Sequence, residues 1–202
     1  MQLTYPMAPS HGVHTLRPAL QAALQTKGFG INSQFAKATA SNVSLSRPYR
    51  GYSLSLEDLT QGKGLNHAAL GNWHYLVVSN GKTIADAELA EVPGNVEFSA
   101  LNHGVMAAAT ASALKLAENA ASLKGKTYEL RVLFVSALHF VGIWLHAVDA
   151  ADEDVIIPIE PTPKSLASTQ LYSAAKIFAL LTPAAQQAKA LFDADTRGLS
   201  GN

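Results

Sequence analysis

Seven histidines are the side chains of this chain best suited to chemistry, because an imidazole transfers protons near neutral pH and ligates metals. His67 and His74 lie seven residues apart, as do His139 and His146, while His103 precedes an alanine-rich run. No His-Glu-x-x-His or compact ligand cluster is present, so the spacing assigns no metal ligand. In an unbroken strand a seven-residue offset puts two side chains on opposite faces, which argues against His139 and His146 sharing one ion. Asp86, Glu88 and Glu91 could supply general acid–base chemistry. Their alternation along an apparent hairpin strand instead predicts carboxylates on its wet face. Aromatic residues accompany two histidines, in Trp73-His74 and Trp144-Leu145-His146, and a further cluster runs from Arg47 to Tyr52. Aromatics give contact area and a polar tip. The sequence therefore predicts a recognition surface drawn from Tyr49, Tyr52, Trp73, His74, His139, Trp144 and His146.

Other chemistries find little footing. Gly-x-Ser-x-Gly is absent, and the glycine pairs at 28 and 30 and at 62 and 64 lack the spacing and lysine of a phosphate loop. The chain has no cysteine, which excludes disulfides and thiolate chemistry. No catalytic residue, cofactor-binding residue or cofactor is expected. Fifteen basic residues balance fifteen acidic ones without a dense basic cluster, which disfavours nucleic acid as a partner. The N-terminus lacks the basic and apolar regions of a secretory signal, and no apolar run reaches the length of a membrane span. These features predict a soluble, cytoplasmic protein with no membrane insertion. Asn42-Val43-Ser44 matches a glycosylation sequon, a triplet common by chance.

The elements that must position these residues are read from periodicity and punctuation. Hydrophobic residues make up 48% of the 202-residue chain and charged residues 15%, enough for a sizeable core. Pro6, Pro9 and Gly12 predict an irregular N-terminal arm. A short helix then spans about 16–27, with Thr15 as N-cap and Gly28 as terminator. Residues 30–52 are rich in Ser, Asn, Ala and Thr and read as a linker. From Trp73 the pattern turns β-favouring, and Asn80-Gly81 marks a two-residue hairpin. Residues 104–123 form an alanine-rich helix that Asn102 caps. Residues 128–148 are nearly continuous in apolar and β-branched side chains, as two strands meeting near 136–138 or one strand bent at Gly142. Val155 to Ile159 adds a strand, and two C-terminal helices follow, the second opening at Thr182-Pro183.

The expected fold is thus α+β, with an antiparallel sheet of about four to six strands packed against a long Ala-rich helix, an N-terminal helical extension and a C-terminal helical pair. Residues 1–71 form an arm, short helix and irregular segment, and 72–202 the core. Low charge and few acid–base candidates favour a noncatalytic protein-interaction or assembly protein, self-associating or bound to a protein partner, rather than an enzyme. One alternative is a small-molecule-binding protein or hydrolase-like enzyme with a histidine-lined pocket. A convergence of two or more of His74, His103, His139 and His146 on one cavity would favour it. A second alternative is an inhibitor or adaptor acting through its N-terminal arm.

Overall fold

The computed structural model describes residues 1–26, 33–160 and 162–199. Strand β1 (Gln2–Thr4) leads to helix α1 (Gly12–Thr26) and α2 (Ser33–Lys37), then strands β2 (Val43–Leu45) and β3 (Tyr49–Ser53) and helix α3 (Leu56–Thr60). A meander of β4 (Ala69–Ser79), β5 (Lys82–Val92) and β6 (Asn95–Asn102) follows, closed by α4 (Val105–Asn119). A second meander runs through β7 (Thr127–Val135), β8 (Phe140–Ala147), β9 (Val155–Ile159) and β10 (Tyr172–Ser173), closed by α5 (Ala174–Leu199). All ten strands belong to one sheet, in the order β10-β9-β8-β7-β3-β4-β5-β6, with β1 beside β7 and β2 beside β4.

The α+β class stands, but the expected sheet of about four to six strands is corrected to a ten-stranded mixed sheet. Two parallel pairings make it mixed, because β1 and β3 lie end to end along the same side of β7. The expected linker holds the reason for the undercount. β3 pairs antiparallel with β4 on one side and parallel with β7 on the other, joining the two meanders into one sheet. A division at residue 71 therefore runs through the middle of a single sheet.

The in-register pairs define two faces. Tyr49, Leu76, Leu130, Val132 and Ile143 pack with Ala113 and Ala117 of α4. On the opposite face Trp73, Tyr75 and Val77 pack with Leu16, Leu20 and Leu24 of α1, and Leu133, Trp144 and Ile156 pack with Ile177 and Leu181 of α5. With helices over both faces, the central strands β7 and β8 bury side chains on both sides. This is why 128–148 reads as a continuous apolar run rather than an alternating one.

Local signals fare unevenly. The Asn80-Gly81 hairpin forms as expected, with φ of 49° and 74°, the positive angles of a primed turn. Residues 128–148 are two strands joined by a single 3-10 turn at Ser136–Leu138. Helix α1 starts at Gly12, so Thr15 lies inside it and its hydroxyl returns to the His11 carbonyl; Gly28 lies outside the described residues. Gly104, not Asn102, is the N-cap of α4. The expected C-terminal pair is one continuous helix across Pro183.

Candidate functional site

On the face beneath α1 and α5, three register pairs set four side chains in one row. Trp73 pairs with Arg50, Arg50 with Arg131, and Arg131 with Trp144. Each arginine lies over its own tryptophan, the guanidinium carbon 4.6 Å from the ring centroid in both cases. Such stacking gains cation–π attraction and shelters the ring. Each indole also finds a carboxylate. Trp73 Nε1 donates to Glu91 at 2.9 Å, and Trp144 Nε1 donates to Asp154 at 2.7 Å.

The two halves of the row end differently. Arg50 is buried and donates to Glu91 at 2.8 Å. Arg131 rests between Trp144 and Tyr52, 4.9 Å from the tyrosine centroid, and its Nε donates to Glu129 at 2.6 Å. Its terminal nitrogens have no partner among the described residues. They border a cavity of about 470 Å³ lined by Arg131, Trp144, His146, Asp152, Asp154, Asn66, Leu65 and Phe178. That volume falls within the usual range for small-molecule sites.

Asp154 organises this cleft. It is buried and accepts from Trp144 Nε1, from the backbone N–H of Ala147 at 2.8 Å, and from His146 Nδ1 at 3.1 Å. Facing a carboxylate, Nδ1 carries the hydrogen, which leaves Nε2 for a ligand. Asp152, two residues before Asp154, is exposed and has no partner among the described residues. The cavity therefore holds a guanidinium, an imidazole and a free carboxylate beside the apolar walls of Leu65 and Phe178.

A second histidine–carboxylate pair lies on the α4 face. His74 Nδ1 is 2.8 Å from Asp86, and the Tyr49 hydroxyl donates to the other oxygen of Asp86. The imidazole is stacked between Tyr49, at 5.3 Å, and Phe134, at 5.7 Å. Gly51 makes room for it, since a Cβ there would sit 2.9 Å from Nε2. Burial, followed by the charge of Asp86, holds the Tyr49 phenol well above its ordinary range. Glu88, directly across from His74, accepts from Asn72 at 3.0 Å and from Asn102 at 2.5 Å. The expectation that this strand carries solvated carboxylates fails at Asp86, which is 1% exposed, because α4 covers the face that sequence alternation assigns to water.

A larger cavity of about 590 Å³ lies between α1 and β2, lined by Val13, Leu20, Leu24 and Arg17. It holds no acid–base pair, so the smaller cleft is the stronger site on chemical grounds.

Known proteins offer no guide. No family model matches the chain, and no curated protein or solved structure matches it.

The seven residues expected to form a recognition surface divide among four places. Trp144, His146 and Tyr52 meet around Arg131. Tyr49 and His74 belong to the buried network, and Trp73 lies under Arg50. His139 is exposed in the turn between β7 and β8 with φ of 49°. His103 stacks on Phe35 at 5.6 Å. His74, His103, His139 and His146 thus do not converge on one cavity. Sequence reading missed Arg131, Asp152 and Asp154. Their one signal was an arginine followed by Trp-x-His and an acidic turn, a pattern too common to stand out.

Proposed function

We propose that this protein binds a small zwitterionic molecule, of the amino-acid or amino-carboxylate class, in the cleft between β7, β8 and α5. The observation that carries this reading is that one cavity is lined by both the Asp152 carboxylate, which has no partner among the described residues, and Arg131, whose Nε pairs with Glu129 while its terminal nitrogens make no hydrogen bond among them. A carboxylate on the ligand would take the guanidinium fork, its ammonium would meet Asp152, and an apolar side chain would rest on Leu65 and Phe178. His146 Nε2 adds one directional hydrogen bond, and Asp154 keeps that ring in place.

The test compares phenylalanine with 3-phenylpropionate and phenethylamine by isothermal titration. These probes share a ring and chain and differ in charge. Phenylalanine should bind about 10- to 150-fold more tightly than either singly charged probe, since each charge-assisted contact contributes about 1.5–3 kcal/mol. Arg131→Gln should lose phenylalanine binding while keeping its far-ultraviolet circular dichroism. Equal affinity for all three probes, or no binding at millimolar concentration, would overturn the reading.

Self-association is a second reading. Leu191 and Phe192, 67% and 66% exposed on α5, supply adjacent apolar surface for it. Light scattering across a concentration series checks it, and a concentration-independent monomer would remove it.

A further inference from the structure

We propose that His74, Asp86 and Glu88 form a binding site for one divalent transition-metal cation of the zinc or manganese class. One ligand atom from each residue lies within 4.8 Å of the other two. Two metal–ligand bonds of about 2.1 Å span at most ~4.2 Å, so the half-buried Glu88, held by Asn72 and Asn102, must draw in toward the other two on binding. The strands set this arrangement directly. His74 and Glu88 are register partners across β4 and β5, and Asp86 lies two residues before Glu88 on the same face.

Charge supplies the second argument. Two carboxylates share this cluster with one imidazole, and no arginine or lysine pairs with either among the described residues. Asp86 is buried and faces only the His74 imidazole, Glu88 is half-buried and has no ion-pair partner among the described residues, and a divalent ion between the three groups would neutralise both carboxylates. Outer hydrogen bonds already hold two of the ligands: Tyr49 donates to Asp86, and Asn72 and Asn102 donate to Glu88. This is the outer shell that metal-ligating carboxylates use for orientation. One nitrogen and two oxygens suit zinc or manganese better than calcium or magnesium, which favour oxygen alone. On binding, Nδ1 of His74 releases its proton to solvent and directs its lone pair to the ion. The site lies on the sheet face opposite the cleft and does not depend on the zwitterion reading.

The experiment titrates chelator-stripped protein with Zn²⁺ and, for its visible absorption, with Co²⁺. One equivalent should bind at micromolar concentration and raise the thermal midpoint. Glu88→Gln keeps the shape of the side chain and should weaken binding about 100-fold, at the upper end of what lost metal contacts produce. His14→Ala, at an exposed histidine of α1, should bind as the parent does. Circular dichroism confirms that both variants fold. Absence of binding in the parent, or undiminished binding by Glu88→Gln, would overturn the proposal, the latter by placing the ion elsewhere.

Discussion

The two histidine–aspartate pairs use the same atoms in opposite settings. In both, Nδ1 of the imidazole meets a carboxylate that also accepts from a second aromatic side chain, Tyr49 in one and Trp144 in the other. The His74 side chain is 3% exposed and that of His146 26% exposed. His74 is enclosed by two stacked rings and by α4, whereas His146 keeps its second nitrogen on an open cleft. An identical pair is thus sealed on one face and opens onto a cleft on the other, and helix placement decides which.

Removing each imidazole tests this contrast most sharply. His74→Ala leaves Asp86 buried without its partner and opens a hole between Tyr49 and Phe134. It should cost about 3–5 kcal/mol in denaturant unfolding. His146→Ala removes a partly exposed ring and should cost about 1 kcal/mol or less. Equal losses would abolish the distinction. A smaller effect is expected at Gly51, where any Cβ meets both His74 Nε2, at 2.9 Å, and the Asn72 carbonyl, at 3.2 Å. Gly51→Ala should destabilise by about 1–3 kcal/mol through overpacking, and its unfolding midpoint reports whether the His74 ring can yield.

The mildest effect is alkaline. The unfolded Tyr49 phenol ionises near 10.0, and the folded one well above it. The folded chain therefore holds the proton longer, so this contribution to stability is complete below pH 10 and declines as pH rises toward the folded value. Tyr75 and Tyr128 shift the same way through burial. Tyr49→Phe should flatten part of the alkaline decline in thermal midpoint, and an unchanged slope would separate Tyr49 from it.

Much of the fold's local grammar was legible. The Asn80-Gly81 turn needs two positive φ angles that few residue pairs supply, and the alanine-rich segment before Gly125 has few options besides a helix. The sheet's size was not legible, because β1, β2 and β10 are two or three residues long and show no period. β3 contains Gly51, which sequence reading assigns to a loop, yet that glycine is where the strand admits the His74 ring. Of the cleft, Trp144, His146 and Tyr52 were singled out, but Arg131 and Asp154 looked like ordinary polar interruptions.

Taken by itself, the sequence determined the Asn80-Gly81 turn, the alanine-rich helix, the lack of cysteine chemistry and an even charge balance, because each depends on residue type or on neighbours within a few positions. Tertiary structure decided which carboxylate is dry and which is wet, and which arginine is spent on the core. Arg50 and Arg131 are 81 residues apart and become neighbours only through the parallel pairing of β3 with β7. Asp86 and Asp152 are both acidic residues in polar company, yet one is sealed beneath α4 and the other opens onto a cavity. Burial is a property of what packs above a side chain, and strand alternation can name the face without naming its cover.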